Sequence, residues 1–538
     1  MIKQILKILG IILVIALLWV LGFFWKDANL AKYDTEIEKS LVPKFTEVKL
    51  PFSHQYNSEK SLPIAPSALI DINNDGIDEV FFGGGLHQED EIFAFRNNEF
   101  INISNEVNLP KKDITTTSTG VATADFDTNG FVDLLISRED GLYLYLNENG
   151  KFTPKKINTP INNKSTPAGI TLGDIDKDGD VDIFLSTYLK KNLMEGQTLF
   201  EDKNYGSTSA LLINNGDNTF TNKTVQAGLD YVHNTFMAIL VDIDNDTWLD
   251  LIVAHDTGEV RTYKNNENGT FTMKENPTTN KFAYPMGIAV GDYNNDGLVD
   301  FMFSNTGSTL PRFMAKGDIK EASKFNEKWI LFRNDGNFKF TDTAKEAQIA
   351  NYEFSWGAVF ADMNNDGLQD LIVAENYVDL LPNKLFRLPG RMLIQKSNHT
   401  FVATEEESGV VNPNFGITPL VSDFNKDGYL DLIWTNINSP SLAYLNQGGK
   451  SNFIQVRLEK KASTIGAKVQ VTTASGKNLY EDLIIGEGLA SDQSGTLHFG
   501  LANEKAVKKI IISYPDGTKE IINNPAINTI LEIKKTTK

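Results

Sequence analysis

The sequence contains no cysteine. That excludes a disulfide scaffold, a thiol nucleophile, a thiolate metal centre and lipidation of an N-terminal cysteine. It leaves the compartment open, because exported proteins need not carry disulfides. Histidine is scarce: His54, His87, His233, His255, His399 and His498 are the whole set, with no HExxH or other recognisable ligand spacing. There is no GxSxG, no Walker loop and no GxGxxG opening a helix, and a tight turn accounts for Gly83-Gly84-Gly85 better than phosphate binding does. Positive charge is in deficit, 51 Lys and Arg against 70 Asp and Glu, a formal charge of −19. That argues against nucleic acid, whose phosphates need a basic partner, and against docking on anionic lipid. Past the N-terminus there is no convincing amphipathic helix longer than a few turns, and residues 342–350 are at most a short helical insert.

What is present starts with the N-terminus. Lys3 and Lys7 precede 18 uncharged residues, 8–25. At 1.5 Å per residue such a helix covers most of a bilayer core of about 30 Å. The lysines place its start in the cytoplasm. The run ends in Gly22-Phe23-Phe24-Trp25, rings suited to the membrane interface rather than a small-residue cleavage site, so an uncleaved anchor is favoured over a cleaved signal peptide. Either reading exports the rest of the chain. Residues 27–43 read as a polar linker.

The 538 residues, 41% of them hydrophobic, suit one large all-β domain and a smaller one. From about residue 44 to 447, short β-like runs alternate with turns rich in Asn, Asp and Gly. One nine-residue pattern recurs seven times, starting at Asp71, Asp125, Asp174, Asp242, Asp292, Asp362 and Asp423, with spacings of 54, 49, 68, 50, 70 and 61 residues. Apolar or small residues precede each copy and a strand such as Leu371-Ile372-Val373-Ala374 follows. A period of this length with about four strands per unit predicts a seven-bladed β-propeller, whose closure removes exposed sheet edges. Residues 448–538 lack the pattern, gain lysine and keep apolar alternation, which predicts a separate small β-domain.

The repeated pattern carries oxygen at fixed places. Position 1 is always Asp. Position 3 is Asn73, Asp127, Asp176, Asp244, Asn294, Asn364 or Asn425. Position 5 is Asp75, Asn129, Asp178, Asp246, Asp296, Asp366 or Asp427, and position 9 is Glu79, Asp133, Asp182, Asp250, Asp300, Asp370 or Asp431. Glycine at position 6 lets the chain turn sharply, leaving the carbonyl of position 7 as a further donor. Hard cations such as calcium want six to eight oxygens of this kind, so the chain is expected to hold up to seven Ca2+ ions. The first six positions match an EF-hand loop, but the last carboxylate falls at 9 rather than 12 and the flanks are strands. The loops hold 23 carboxylates at these positions, so neutralising them would take the formal charge from −19 to +4. Solvated Asx turns are the bland alternative for any single loop. Loop four, with Thr247 in place of the glycine, and loop two, with Asn129 in place of a carboxylate, are expected to bind most weakly, and loop three (174–182) most tightly.

This constellation resembles the FG-GAP/VCBS repeats of integrin-like propellers, in which such loops join two strands of a blade and hold calcium. The C-terminal region resembles the ASPIC/UnbV domain through Asn452-Phe453, Ile465-Gly466-Ala467, Gly486-x-Gly488, Ser491-Asp492-Gln493, the run from Leu497 through Phe499 to Leu501, and Tyr514-Pro515-Asp516-Gly517. The pairing is similar to the cartilage-acidic-protein family, largely secreted or surface proteins, and implies calcium binding and interaction without an established catalytic activity.

The expected function is therefore an extracytoplasmic binding or adhesion module, with a protein or glycan ligand at the rim or central opening, attached to the membrane through its N-terminal helix. Two alternatives stand beside it: a polysaccharide lyase or hydrolase using a propeller pocket, and a periplasmic assembly factor. A His255-Asp256 dyad is conceivable but has no nucleophile in sequence, and His498 reads as packed or hydrogen-bonded. Tyr352, Phe354 and Trp356 read as packing between blades, with a carbohydrate-stacking platform as the sharper reading.

Overall fold

The computed structural model describes residues 2–30, 33–194, 198–199, 205–307, 316–317, 319, 321–376 and 387–535. Each repeat folds into an antiparallel four-stranded sheet, and seven such sheets follow one another. Their innermost strands are Ser67–Ile70, Ser118–Ala124, Ser165–Gly173, Thr235–Val241, Ile288–Gly291, Ser355–Ala361 and Phe415–Ser422. Each of these strands contacts the next, and the seventh contacts the first, so the sheets close into a ring. Closure also uses the chain ends. The seventh sheet takes its outer strand from Phe45–Val48, antiparallel to Leu442–Asn446, with Phe45 opposite Asn446 and Val48 opposite Ala443.

The inner strands are buried nearly throughout, which is why they are small and apolar without the two-residue alternation of a half-exposed strand. Where they converge there is no room for side chains. A Cβ on Gly120 would lie 2.1 Å from the carbonyl oxygen of Ala168, and one on Gly357 would meet Thr418 and the Ile417 carbonyl. The interior between sheets is filled by aliphatic and aromatic side chains, with Trp329 and Trp434 among the largest fully buried. Phe354 and Trp356 belong to this interior, their rings tilted at 43° with centroids 5.3 Å apart, as expected of packing residues.

Residues from Asn452 to Ile533 form two further sheets, one of Asn452–Leu458, Thr496–Ala502 and Ile530–Ile533, the other of Lys468–Thr473, Asn478–Asp482, Val507–Ser513 and Lys519–Asn523. They enclose their own core, including Val456, Val469, Phe499 and Ile510. One segment of this body, 485–493, crosses the axis of the ring and touches every inner strand. Ser491–Asp492 pairs in parallel with Ser67 and Ala68 of sheet one. Asp492 Oδ2 accepts the Thr123 N–H at 3.0 Å, and the Ile485 carbonyl accepts the Thr171 hydroxyl at 2.7 Å. The Ala490 N–H meets Met237 Sδ at 2.9 Å, and Gly488 and Ile288 exchange backbone hydrogen bonds of 2.9 Å. Glu487 Oε1 accepts the Val290 N–H at 3.0 Å and the Phe360 N–H at 3.4 Å, while Thr418 and Ser491 bond through their hydroxyls at 3.1 Å. The central opening expected from the sequence as a place for a ligand is thus occupied by the chain itself.

On the N-terminal side, Ile2–Leu30 is a helix whose part 3–22 is long and apolar enough to cross a membrane. Residues 33–41 lie along the ring: the Asp34 N–H donates to Gln348 Oε1 at 2.6 Å, Lys396 Nζ donates to Asp34 at 2.5 Å, and Asn364 Nδ2 donates to the Leu41 carbonyl at 2.9 Å.

Burial pushes the Glu487 carboxyl from 4.5 up to about 8. Below the lower value both folded and unfolded chains hold the proton. Between the two, the unfolded chain releases it and the folded chain keeps it, so this group lowers stability as pH rises and levels off above about 8. Glu487→Gln keeps the acceptor for Val290 and cannot ionise. Its melting temperature should rise relative to the parent between about pH 5 and pH 8. A difference that does not change with pH would show that Glu487 is ionised in the fold.

Candidate metal centres

The seven acidic loops occupy one place in the fold. Each joins the innermost strand of its sheet to the second strand, and the residue at position 9 is the first of that second strand, paired with the last residue of the first: Ile70 with Glu79, Ala124 with Asp133, Gly173 with Asp182, through to Ser422 with Asp431. All seven therefore stand on one face of the ring.

Their internal geometry repeats closely. The Asp at position 1 accepts the N–H of position 5 on Oδ1 at 3.0–3.1 Å in all seven. Its Oδ2 accepts the N–H of position 6 at 2.7–3.1 Å. The side-chain oxygen of position 5 accepts the N–H of position 7, 3.0 Å for Asp178 and Asp180. Position 6 has φ near +90°, as in Gly130 (+88°) and Gly297 (+90°), the left-handed region that favours glycine.

Position 9 does more than the sequence indicated. Asp182 is fully buried. Its Oδ2 accepts the Ile175 N–H at 2.9 Å and its Oδ1 accepts the N–H of Asn214, at the end of the third strand, at 2.8 Å. Asp133, Asp250, Asp370 and Asp431 repeat the arrangement with Asn147, Asn265, Gln395 and Asn446. These amides were not singled out from sequence, although several stand beside the turns rich in Asn, Asp and Gly that follow the third strands. Their side chains reach the adjacent sheet: Asn147 Nδ2 donates to the Ile72 carbonyl, Asn265 to Ile175, Asn334 to Ile243, Gln395 to Tyr293 and Asn446 to Met363, each at position 2 of the preceding sheet's loop.

Position 4 makes a second link. It is left-handed in every loop, at φ between +56° and +60°. Asn74, Asn245, Asn295 and Asn365 each donate to the position 6 carbonyl of the following loop, at 2.8–3.3 Å. Lys426 of loop seven reaches the Asp75 carbonyl of loop one at 2.7 Å.

The loops fit a cation unevenly. In loops two and three, carboxylate oxygens of Asp125, Asp127 and Asp133, and of Asp174, Asp176 and Asp182, lie within 4.8 Å of one another with no side-chain cation paired to them among the described residues, whereas Asp242, Asp244 and Asp246 of loop four gather as closely but around Lys264. Burial pushes Asp174 up to about 6 and Asp182 up to about 8, the response expected of carboxylates gathered away from water with only backbone donors to answer them. Those residues fit a calcium ion. In loops five, six and seven, the position 3 amide turns to the position 5 carboxylate, as Asn294 Nδ2 does to Asp296 at 2.9 Å. In loop one, Arg457 from the C-terminal body pairs with Asp71. Loop four departs most: Lys264 Nζ stands 2.5 Å from Asp244 Oδ2 and 2.5 Å from Asp246 Oδ2.

The C-terminal body covers part of this face. Lys468 Nζ donates to Asn245 Oδ1 at 2.6 Å and to the Gly297 carbonyl at 2.9 Å, Lys477 Nζ to the Gly367 carbonyl at 2.9 Å, and Gln455 Nε2 to Asp423 at 3.2 Å. His498 lies between Asn365 Oδ1 (2.5 Å) and Gln455 (3.1 Å), hydrogen-bonded as its strand position suggested. The conceivable His255-Asp256 dyad does not form. His255 Nδ1 bonds Thr235 Oγ1 at 2.9 Å, and Asp256 accepts the Tyr188 hydroxyl instead.

Asn265→Ala leaves the Ile175 and Leu249 carbonyls without their donor and should cost roughly 1–3 kcal/mol of stability. Asn214→Ala should cost less, because its amide stays within its own sheet, on the Val181 carbonyl and Asn218. Equal losses in denaturant unfolding would remove the bond between sheets as the cause.

The FG-GAP-like repeat family matches residues 71–136, 125–185, 242–303 and 322–373, and the ASPIC and UnbV family matches 458–538. Cartilage acidic protein 1 of Xenopus tropicalis is 23% identical over 500 residues, 87% of this chain and 64% of its own, and that of Mus musculus is 26% identical over 307 residues, 53% of this chain and 42% of its own. The chain thus spans less than two thirds of the length of these relatives, neither of which is named for an enzymatic activity. A solved exotype rhamnogalacturonan lyase aligns at 12% identity over 74% of this chain and 75% of its own, with a TM-score of 0.40. By its repeats and its C-terminal region, the chain joins FG-GAP-like repeats to an ASPIC and UnbV domain and is similar in this to cartilage acidic protein 1.

Proposed function

We propose that the chain is a calcium-stabilised extracytoplasmic propeller, held at a membrane by its N-terminal helix, whose task is to bind a protein or glycan. The observation that carries the reading is loop three, where carboxylates converge with no internal cation to balance them. Calcium there would replace scattered backbone donors with one divalent charge, tying position 1 to the buried start of the second strand. Because position 9 also anchors the third strand, an ion in the loop would brace the whole sheet.

The ligand surface follows from what is covered. The axis is filled by 485–493 and the loop face carries the C-terminal body, which leaves the outer rim and the opposite face of the ring for a partner.

Chelation should lower the melting temperature of the purified ectodomain, and millimolar calcium should restore it, because a ligand that binds only the folded state adds RT ln(1 + [L]/Kd) to stability. Asp174→Asn, at the position that is Asp in every loop, should lose one bound ion per chain in equilibrium dialysis. An unchanged melting curve after verified calcium removal would end the structural role. On arrays of glycans and surface proteins, retention without shortened products is expected, and chelator-sensitive turnover would make the chain an enzyme.

A further inference from the structure

Lys264 stands where four of the other sheets carry an aliphatic side chain. It precedes Asn265, the residue whose N–H bonds the position 9 carboxylate of its sheet. The corresponding residues before Asn147, Asn214, Gln395 and Asn446 are Leu146, Ile213, Ile394 and Leu445. In sheet five the residue is Arg333, which turns to Asp335 at 2.8 Å. Only in sheet four, among the described residues, does a cation from the third strand enter its own loop.

From Nζ to Asp244 Oδ2 and to Asp246 Oδ2 is 2.5 Å in each case. Calcium holds its oxygens at about 2.3–2.6 Å. The ammonium therefore stands at the distance an ion bridging the same two oxygens would need, and two cations do not share that space. The tether gives the lysine a further advantage, because a group fixed on the adjacent strand acts at a high effective concentration. The loop also dispenses with the glycine: Thr247 adopts φ +77° at position 6, and its hydroxyl accepts Lys177 Nζ at 3.0 Å.

We infer that loop four carries its own cation, Lys264, and takes no calcium, so that the expected set of seven ions loses one at this loop. This refines the calcium reading above and rests on it only for the other loops. Loop four becomes a permanent brace. Its Asn245 receives Lys468, and Leu249 packs on Gly466, so the C-terminal body is held at this sheet whether or not calcium is present.

Trp248, at position 7 of loop four, offers a local reporter. Terbium occupies calcium sites and emits when a nearby indole absorbs. Because Lys177 Nζ of loop three stands 4.1 Å from the centroid of that ring, the measurement is made in an Asp174→Asn background that empties loop three; there, with tryptophan-selective excitation of the full chain, Trp248→Phe should leave terbium emission unchanged. Lys264→Met, or Lys264→Gln where the first variant folds poorly, should raise emission several-fold, and adding Trp248→Phe should abolish the gain. Calcium per chain, counted by equilibrium dialysis, should rise by one in the lysine variants. A Trp248-dependent signal in the Asp174→Asn chain overturns the inference, and so does a folded lysine variant that gains neither signal nor ion. Parent protein that binds no calcium at all, together with a gain in Lys264→Met, would overturn the proposed function and leave this inference standing.

Discussion

The buried carboxylate at position 9 is the point on which the rest of the ring depends. In Asp182 both oxygens are committed, one to the loop that precedes it and one to the third strand of its sheet. Those two donors oppose the desolvation that drives a buried carboxylate toward the neutral acid, and desolvation remains the larger effect. The same residue therefore shapes the loop, sets where the second strand begins and fixes where the third strand ends. The amides that answer it carry the constraint onward, as Asn265 does from Asp250 to the Ile175 carbonyl of the previous sheet.

Seen this way, the loops are joined to one another as well as to a possible ion. Amides at the ends of third strands bond backward to position 2, and asparagines at position 4 bond forward to position 6. The backward links are buried, while the forward ones range from buried at Asn365 to exposed at Asn74 and Asn245, so a change in one loop has a physical route to the next. The route is not uniform. Thr128 in loop two has no long amide to offer, and loop one is partly neutralised by Arg457. The ring is thus a set of similar units with individual electrostatics.

Much of this was legible in the sequence because it is local and repeated. Seven copies of one oxygen pattern marked the sheets, and small apolar runs marked the inner strands. Position 6 glycine was readable because a left-handed turn has few residue choices. What was not legible depends on contacts between distant segments. Nothing near Lys264 states that its ammonium turns into a loop some 20 residues earlier. Nothing in Gly486-x-Gly488 states that it lies against Ile288 on the ring axis, although its two glycines, at φ +99° and +100°, permit the close approach. Asn147 and its counterparts looked like turn residues because their second role is on another sheet. Asp256 next to His255 suggested chemistry, and the partner that decided the matter, Tyr188, lies 68 residues away.

The closure of the ring has a consequence for how the chain is made. Phe45–Val48 is among the first segments to emerge, yet its pairing partner Leu442–Asn446 lies near the other end, and 485–493 is later still. The early sheets must therefore wait, with an open edge, for most of the polypeptide to be delivered. Contacts so distant in sequence slow folding and leave strand edges available to wrong partners meanwhile. The insertion of 485–493 then acts as the latch, completing the contacts of seven inner strands late in folding.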